Sequence, residues 1–391
     1  MRRRVVLHVV RPAEGGMREH VLALLKGLAL LKGLDGMAFR PMLAGPLGQG
    51  WDERLREIEV ETINLPVMNG IDPVAGARAI LALASLLRNR MVDLVHLHGY
   101  KAAFIGRLSA CLAGLPPVVV TVHGPLIRPT VRAHRLVHWG EKSLARFTDR
   151  YIAVSEATRR GLVEKAGINP EKVSVIYNGI DPGRFNPSIV NGLEERLRLG
   201  VGEKEFLVGS LCRMVPGKGL DQLLQAAVEV VKHVPGVRFC LAGDGPARPA
   251  LERLARFYGL ERHVIFPGFH RDVPALLAAM DVLVHPSLEE GLPLAVMEAM
   301  AMARPVIAAS TGGIPELLGE GRGCLVPPGN PDALARAVIS LLSSPESRRH
   351  MGLYGRRFVE ENLSLSSMVA RTCELYGEVL ELRSAKGLPL T

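Results

Sequence analysis

Pro286-Ser-Leu-Glu-Glu-Gly-Leu-Pro-Leu-Ala-Val-Met-Glu298 is followed by Ala299-Met-Ala-Met-Ala-Arg-Pro-Val-Ile-Ala308, and residues 293–303 form a helical pattern. A glycine followed closely by a proline at the first helical position predicts a helix that starts near Leu292. The start of a helix offers backbone N–H groups and a partial positive charge, which together suit a phosphate. Glu298 would lie roughly 9 Å along the helix, at about 1.5 Å per residue. It would share a face with Gly291, because seven residues nearly complete two turns.

An elongated ligand could therefore place its pyrophosphate at the tip of this helix and a sugar diol on Glu298. An ionised carboxylate suits a diol, because it only accepts hydrogen bonds and can take both hydroxyl protons. The segment thus predicts a site for a nucleotide-sugar. The alternative interpretation is that Glu290 and Glu298 are two solvated glutamates on a helix surface.

Short aliphatic strands alternate with helical patterns over the whole chain. The predicted strands are residues 5–10, 38–43, 58–65, 92–97, 118–122 and 151–154 in the first half, and residues 206–211, 237–241, 264–266, 282–284, 306–308 and 324–326 in the second. Near-continuous apolar strands between amphipathic helices indicate parallel sheets that are covered on both faces. The predicted fold class is α/β, with two Rossmann-like doubly wound domains and a ligand crevice between their strand C-termini.

The predicted boundary between the domains lies near Asn186, because the preceding segment 178–187 is rich in Gly, Pro, Asn and Asp. The expected domains are residues 1–186 and residues 187–366. The tail is predicted to be helical, and its last helix, about residues 367–391, is expected to cross back to the first domain.

Composition favours a cytoplasmic protein. The five cysteines lack any C-x-x-C spacing, as expected for reduced thiols. The apolar run after Met1 is too short for a secretory signal, and no stretch reaches the roughly 20 apolar residues of a membrane span. Residues 1–190 hold 26 Lys and Arg against 16 Asp and Glu, whereas the remainder holds 22 against 23. This asymmetry indicates an anionic partner for the first half, or else serves solubility alone.

Two common nucleotide-binding motifs are missing from the sequence. No strand is followed by a complete G-x-G-x-x-G with a downstream acid, since Gly243-Asp-Gly245 lacks the third glycine. There is also no G-x-x-x-x-G-K-[ST]. The sequence therefore argues against dinucleotide cofactors and P-loop NTPase chemistry.

Several short motifs occur in a specific order. They are Gly15-Gly16, His123-Gly124, Val154-Ser-Glu156, Asn178-Gly-Ile-Asp181, Arg213 with Lys218-Gly219, Ala242-Gly-Asp-Gly-Pro246, and the Glu290 to Glu298 segment. Over nearly the whole chain, this order and spacing resemble the large family of retaining glycosyltransferases with the GT-B fold, called family 4 or group 1. The resemblance implies an acceptor-binding first domain and a donor-binding second domain.

The resemblance assigns roles at the donor. Glu298 would bind the ribose hydroxyls, and Glu290 would contact a hydroxyl of the donor sugar. The segment Gly291, Leu292 and Pro293 would lie near the phosphate, and Gly243 would also line the donor site.

Arg213 and Lys218 follow a predicted strand. They would neutralise the diphosphate as the bond to the sugar breaks, although two cations on a surface loop are the alternative. Fixed cations aimed at such developing charge can be worth roughly 10²–10³ each in rate. The family more often has Gly where Cys212 stands and an acidic or amide residue where Gly217 stands. These departures put the shape of the loop in question.

In the first half, the resemblance implies that the Gly15 and Gly16 loop reaches the donor phosphate. His123 would hydrogen-bond a donor hydroxyl without acting as a general base. Glu19 and His20 are acceptor-side candidates. On sequence alone, a Gly pair is often only a turn, and a lone His is more often structural.

The sequence predicts no metal and no cofactor, because no D-x-D lies where it could hold a metal near the pyrophosphate. The cations and the helix dipole would do this work. The basic residues Arg128, Arg132, Arg135, Lys142 and Arg146 form one stripe if helical. A solvated helix face is one interpretation, and contact with an anionic membrane at its inner face or with a lipid-phosphate acceptor is the other. Nucleic acid is disfavoured, because aromatic residues are not interleaved with this charge.

Together with these observations, the resemblance implies a retaining, metal-independent glycosyltransferase. The donor would be a UDP-sugar, with GDP-mannose next, and the acceptor a sugar, a lipid-linked molecule or a cell-envelope glycan. Two other functions stay open. One is a nucleotide-sugar epimerase or phosphorylase of the same fold. The other is a non-catalytic protein that binds sugar nucleotides.

Overall fold

The computed structural model describes residues 3–12, 15–30, 39–48, 51–56, 58, 60–65, 72–124 and 140–387, without the side chains of residues 52 and 53. The chain divides into two compact units. The first unit comprises Met1–Gly179 and Leu365–Thr391, and the second comprises Ile180–Ser364. The division at Gly179 lies a few residues before the boundary expected near Asn186.

The first unit holds a parallel sheet of seven strands. They are β1 (Arg4–Val10), β2 (Phe39–Gly45), β3 (Glu61–Asn64), β4 (Leu94–His98), β5 (Val118–Val122), β6 (Arg150–Ala153) and β7 (Val173–Val175), in the order β3-β2-β1-β4-β5-β6-β7. Sequence analysis missed β7. Its three residues are too few to show a strand pattern.

The helices of the first unit follow its strands in the usual α/β alternation. They are α1 (Gly16–Leu30), α2 (Asp52–Leu55), α3 (Pro73–Asn89), α4 (Tyr100–Leu112), α5 (140–144 of the described part) and α6 (Glu156–Arg160). Short 3₁₀ or π turns occupy Ala145–Phe147, Gly161–Lys165 and Pro170–Lys172.

The second unit repeats the architecture with six strands. They are β8 (Phe206–Leu211), β9 (Val237–Ala242), β10 (Val264–Gly268), β11 (Val282–His285), β12 (Val306–Ala309) and β13 (Cys324–Val326), in the order β10-β9-β8-β11-β12-β13. Its helices are α7 (Leu193–Arg198), α8 (Leu220–His233), α9 (Arg248–Phe257), α10 (Val273–Ala279), α11 (Leu294–Ala301), α12 (Ile314–Leu318), α13 (Pro331–Ser343) and α14 (Pro345–Asn362). All pairings in both sheets are parallel, so the predicted fold class of two doubly wound α/β domains is confirmed.

Local sequence accounts for the clearest helix starts. Asp72 caps α3, because its carboxylate accepts from the amides of Val74 and Ala75, while Pro73 occupies the first helical position. Asn330 caps α13 in the same way by accepting from the amide of Ala333. In both helices a polar N-cap residue followed by proline fixes the position at which the helix begins.

Successive side chains of the central strands in the first unit point to opposite faces of the sheet, and each face packs against a different set of helices. Leu7 and Val9 of β1 belong to the core that includes side chains of α3 and α4. Val6 points to the opposite face and shares a core with α1 and with the C-terminal helix α15 (Leu365–Ala385). His8 lies on the Val6 face of the strand, so a polar ring enters this second core.

The apolar stretch at residues 102–122 is a helix and a strand rather than a membrane segment. Arg107 of α4 is fully buried, donates to Glu141 Oε2 at 2.8 Å and also reaches the hydroxyl of Tyr151. Among the described residues, no helix combines the length and apolarity needed to cross a bilayer.

Candidate active site

Four loops of the second unit meet at the carboxyl ends of its strands. They follow β8, β9, β11 and β12 and span residues 212–219, 243–247, 286–293 and 310–313. The amide of Leu288 donates to the carbonyl of Gly217, and the amide of Gly313 donates to that of Gly291, each at 2.9 Å. The strands β8 and β11 are neighbours at the point where the strand order reverses, which is where doubly wound sheets bind ligands.

Glycines allow these loops to touch. A Cβ atom at Gly219 would overlap the carbonyl oxygen of Pro286, and one at Gly312 would overlap that of Glu290. Both glycines also have positive φ, +68° and +53°, a conformation that other residues adopt only with strain. The backbone that carries Glu290 is thus held between the loops after β8 and β12.

Lys218, His285 and Glu290 form a hydrogen-bonded group at this edge. Lys218 Nζ donates to Glu290 Oε1 at 2.6 Å, and His285 Nε2 lies 2.8 Å from the same oxygen. The side chain of Glu290 is 12% exposed and that of Lys218 is 25% exposed. The arrangement places one cation in a recessed, hydrogen-bonded position, and an ammonium has three donors to distribute.

The surroundings keep Glu290 ionised. Burial by itself would raise the pKa of its carboxyl group, but the hydrogen bond and charge of His285, followed by those of Lys218, lower the pKa to about 2. The same surroundings act on the neighbouring Cys212, where burial is the main cause that raises the pKa of the thiol to about 12. At neutral pH the site therefore holds a carboxylate and a neutral thiol.

The helix after this loop starts later than the sequence predicted. It spans Leu294–Ala301, and Pro293 is its N-cap with extended backbone angles (φ −74°, ψ 121°) instead of its first helical residue. The predicted start near Leu292 is wrong, because a residue that precedes proline is disfavoured in the helical region. Gly291 consequently lies outside the helix, so it does not share a helix face with Glu298.

The other residues predicted at the donor lie on the same loops. Arg213 is exposed in the loop after β8, two residues beyond the end of the strand. Gly243 follows β9 with φ +129°, and a Cβ there would overlap the carbonyl oxygen of Cys212. Glu298 is half-buried on the second turn of α11. The structure thus brings Lys218 and Glu290 into direct contact and places the others on adjoining segments.

The glycine pair of the first unit forms the start of α1. Gly15 has φ +69°, its carbonyl accepts from the amide of Glu19, and Gly16 is the first residue of the helix. Glu19, predicted as an acceptor-side candidate, forms an ion pair with Arg54 at 2.8 Å. Its carboxylate is therefore already engaged on the surface of this unit.

Five histidines crowd the carboxyl edge of the first sheet. His98 is central, because its Nε2 lies 3.1 Å from Nδ1 of His8 and its Nδ1 lies 3.3 Å from Nε2 of His123. The ring of His20 on α1 packs edge-on against His123 with 4.7 Å between centroids. His96 packs against His98, with 4.1 Å between ring centroids, and its nitrogens lie 2.6 Å from the hydroxyls of Tyr376 and Thr121.

All five imidazoles are neutral at pH 7. Burial is the main cause in each case; it lowers the pKa of His8 to about 3 and that of His20 to about 4. The pKa values of His96, His98 and His123 also lie well below the ordinary value, through burial and through the charges of neighbouring groups. A neutral His123 has one N–H donor and one acceptor, which fits hydrogen bonding to a hydroxyl.

The basic stripe is only partly described. Arg128, Arg132 and Arg135 lie outside the described residues. Lys142 lies on α5, and the guanidinium of Arg146 lies over the ring of Phe147, 4.7 Å from its centroid.

Comparison with known proteins gives matches over both units. Residues 14–184 match the model of Glycosyltransferase Family 4, and residues 193–358 match that of Glycosyl transferases group 1. A UDP-Gal:alpha-D-GlcNAc-diphosphoundecaprenol alpha-1,3-galactosyltransferase of Escherichia coli is 32% identical over 69% of this chain and 70% of its own. The chain belongs to this glycosyltransferase family.

Other relatives agree with this assignment. A GDP-mannose-dependent alpha-(1-6)-phosphatidylinositol monomannoside mannosyltransferase of Mycolicibacterium smegmatis is 31% identical over 76% of this chain and 81% of its own. Among solved structures, Anabaena Alr3699/HepE in complex with UDP-glucose superposes with a TM-score of 0.83 at 24% identity, over 96% of this chain and 99% of that one. The glycosyltransferase therefore has the GT-B fold, and neither the epimerase or phosphorylase nor the non-catalytic alternative is supported.

Sequence analysis of this glycosyltransferase missed His285 and most of the histidine cluster. His285 ends β11, directly before Pro286, so its place at the carboxyl end of a strand was a usable signal. The spacing of His96 and His98 puts both rings on one face of β4. The pairing of His8 with His96 depends on the strand register, which the sequence does not contain.

Proposed function

We propose that this glycosyltransferase moves a sugar from a UDP-sugar to a lipid-linked or other cell-envelope acceptor, with retention of anomeric configuration. The similarity to an Escherichia coli enzyme named for UDP-Gal and a diphosphoundecaprenol-linked sugar supports this donor and acceptor class. GDP-mannose is the second candidate donor, supported by the mycobacterial mannosyltransferase.

The observation that carries the proposal is the contact of Glu290 with both Lys218 and His285 at the reversal point of the second sheet. Charge grows on the diphosphate as the bond to the sugar breaks. A cation held in place before that moment needs no reorganisation to stabilise the charge. Lys218, with Arg213 from the same loop, would supply this stabilisation without a metal ion or a cofactor.

The remaining roles are the ones that the family resemblance implies for residues on the same loops. The segment Gly291, Leu292 and Pro293 leads to the start of α11, where backbone amides and the helix dipole favour a phosphate. Glu298 would accept from the ribose hydroxyls, Glu290 from a sugar hydroxyl, and Gly243 would line the same donor site.

We assign donor binding to the second unit and acceptor binding to the first. In the first unit, Gly15 and Gly16 would approach the donor phosphate, and His123 would hydrogen-bond a hydroxyl of the transferred sugar. Burial lowers the pKa of His123 well below 6.5 and so makes the ring a weak base, which argues against a role as the proton acceptor for the incoming hydroxyl. The leaving phosphate would take that proton in a front-face reaction.

The test measures nucleoside diphosphate release from UDP- and GDP-sugars with and without an undecaprenyl-diphosphate sugar acceptor. We expect release from a UDP-sugar only when acceptor is present, with no loss of activity in EDTA. NMR of the product should show the anomeric configuration of the donor. An inverted product, or activity that EDTA removes and added metal restores, would contradict the mechanism.

Contact with an anionic membrane is part of the same proposal. It is supported by the excess of Lys and Arg in residues 1–190 and by the basic stripe that includes Lys142 and Arg146. We expect binding to vesicles that contain phosphatidylglycerol, weakening as salt rises, and a much weaker interaction with neutral vesicles. Equal binding to both vesicle types would remove this part of the proposal.

A further inference from the structure

Three histidines of this cluster lie close together, with His20 and His98 buried and His123 half-buried. His20, His98 and His123 each offer a ring nitrogen that lies within 4.8 Å of the other two. The ring centroids are 4.7 Å apart for His20 and His123, 5.6 Å for His98 and His123, and 6.0 Å for His20 and His98. The three rings are carried by α1, by β4 and by the residue after β5. All three attachment points belong to regular elements or to their immediate ends.

The closest nitrogen pair has the spacing of two metal ligands. His98 Nδ1 and His123 Nε2 are 3.3 Å apart, which is slightly long for an N–H hydrogen bond, where roughly 2.7–3.2 Å is usual. Two nitrogens that each lie roughly 2.0–2.1 Å from a tetrahedral zinc ion are themselves roughly 3.3 Å apart. The observed separation therefore leaves room for a cation between them.

The outer nitrogens are arranged as those of metal ligands usually are. With Nδ1 of His98 turned to the cation, its Nε2 can donate to Nδ1 of His8 at 3.1 Å. Nδ1 of His20 is buried and has no hydrogen-bond partner among the described residues. Such outer hydrogen bonds fix the tautomer and orientation of a ligating imidazole.

We propose that His20, His98 and His123 form a binding site for a divalent transition-metal ion that prefers imidazole, Zn²⁺ above all. Three neutral imidazoles would occupy three tetrahedral positions, and the fourth would be left to water or another small ligand. Neutral imidazole is the form of histidine that ligates such ions.

One nearby group opposes the cation. The positive charge of Arg11 acts on His123, where it helps to lower the pKa of the ring. The three ligands carry no charge, so they do not compensate that of a dication. The site should therefore bind Zn²⁺ less tightly than a site with thiolates or carboxylates, and removal of Arg11 should tighten it.

Metal binding would also regulate the transferase, and this step rests on the proposed role of His123. A bound ion would take the Nε2 of His123 and fix the ring toward the metal. We expect Zn²⁺ to inhibit the enzyme by binding at the three histidines. This inhibition would not involve the diphosphate-binding residues of the second unit.

The experiment titrates the full-length, untagged, chelator-stripped protein with Zn²⁺ by calorimetry and with Co²⁺ by visible absorption. We expect one ion per chain, with the intense d–d bands of tetrahedral Co²⁺. The variants His20→Asn and His98→Asn should each lose at least a hundredfold in affinity. His8→Phe should lose roughly tenfold, because it removes only an outer hydrogen bond. Arg11→Gln should bind several-fold more tightly.

The control is His96→Asn, which alters an equally buried ring of the same cluster whose nitrogens are both held by hydroxyls. It should bind Zn²⁺ as the wild type does. Circular dichroism and thermal unfolding of every variant exclude loss of binding through loss of fold; a variant that fails to fold is replaced by His→Gln at the same position.

Several outcomes would overturn the site. They are no saturable binding, unchanged affinity in His20→Asn and His98→Asn, loss of affinity in the folded His96→Asn protein, or a thiolate charge-transfer band that places Co²⁺ on a cysteine. Inhibition is read separately: Zn²⁺ should slow the wild type and spare His20→Asn. Binding without inhibition would leave the site standing and would remove the role proposed for His123.

Discussion

The two sheets share a strand order around their reversal points, yet the side chains at their carboxyl ends are charged in one sheet and neutral in the other. At the end of β11 in the second unit, a carboxylate is kept ionised by a lysine and a histidine. At the ends of β1, β4 and β5 in the first unit, neutral imidazoles contact one another and two hydroxyls. The same topology thus builds one charged site and one uncharged site, and the difference comes entirely from the side chains at strand ends.

This difference has a physical cost for each unit. An ion pair that is partly buried pays for desolvation with its Coulombic attraction and hydrogen bonds. A buried neutral histidine avoids that desolvation, but it becomes a liability as soon as the solution is acidic enough to protonate the unfolded chain. The two units should therefore respond to pH and to substitution in distinct ways.

Acidification should produce the largest effect, and it should fall on the first unit. The pKa values of His8 and His20 are lowered to about 3 and about 4, so the unfolded chain binds more protons than the folded chain below pH 6.5. Stability is complete above that pH and is lost as the pH falls through the window down to the folded pKa values. Between pH 7 and pH 5, each of these two rings should lower the free energy of unfolding by about 2 kcal/mol.

The second unit should resist this change, because the lowered pKa of Glu290 begins to matter only below its ordinary value of 4.5. Hydrogen exchange of chelator-treated protein at pH 7 and pH 5 distinguishes the units. Protection should fall in β1, β4 and β5 before it falls in β8 and β11. The opposite order would show that the histidine cluster does not govern acid stability.

Removal of the cation should produce the next largest effect, and it should fall on chemistry. Lys218→Met should lower kcat by roughly 10²–10³, as expected for a fixed group that stabilises developing charge. Lys232→Met is the matched control, because Lys232 pairs with Glu229 on the exposed surface of α8. Steady-state kinetics with a UDP-sugar would refute the assignment if both variants retained wild-type turnover.

Neutralising the carboxylate should have a smaller effect that depends on the first. Glu290→Gln keeps the shape of the side chain but releases Lys218 from its counter-charge, and we expect a loss of about tenfold to a hundredfold in kcat/KM. The double variant with Lys218→Met should lose less than the product of the two single losses, because the residues act as a unit. Strict additivity would indicate that the contact has no role in turnover.

The sequence predicted the fold and the charged site of the second unit, but not most of the histidine cluster of the first. Strand and helix alternation predicted every strand of the second sheet and all but β7 of the first, and the Glu290 to Glu298 segment with Lys218 located a group that the structure brings together. His285 was overlooked although it lies at the end of a predicted strand, whereas the helix start at Leu294 depends on the geometry of a proline-containing loop. The imidazole cluster escaped because it is assembled from β1, α1, β4 and β5, and only strand register and packing bring such distant residues into contact.

Loop packing around the carboxylate provides the smallest and most local test. Gly312→Ala adds a Cβ that overlaps the carbonyl oxygen of Glu290, whereas Gly259→Ala adds one at a similar φ (+68°) with nothing within 4 Å. Both substitutions introduce the strain of a positive φ, roughly 1–2 kcal/mol. The difference in stability between the two variants therefore measures the overlap with the carbonyl of Glu290. Chemical denaturation should show the larger loss for Gly312→Ala, and its KM for the donor should rise while that of Gly259→Ala stays unchanged. Equal losses of stability would mean that the loop after β12 yields without moving Glu290, and that the close packing of these loops does not position the charged site.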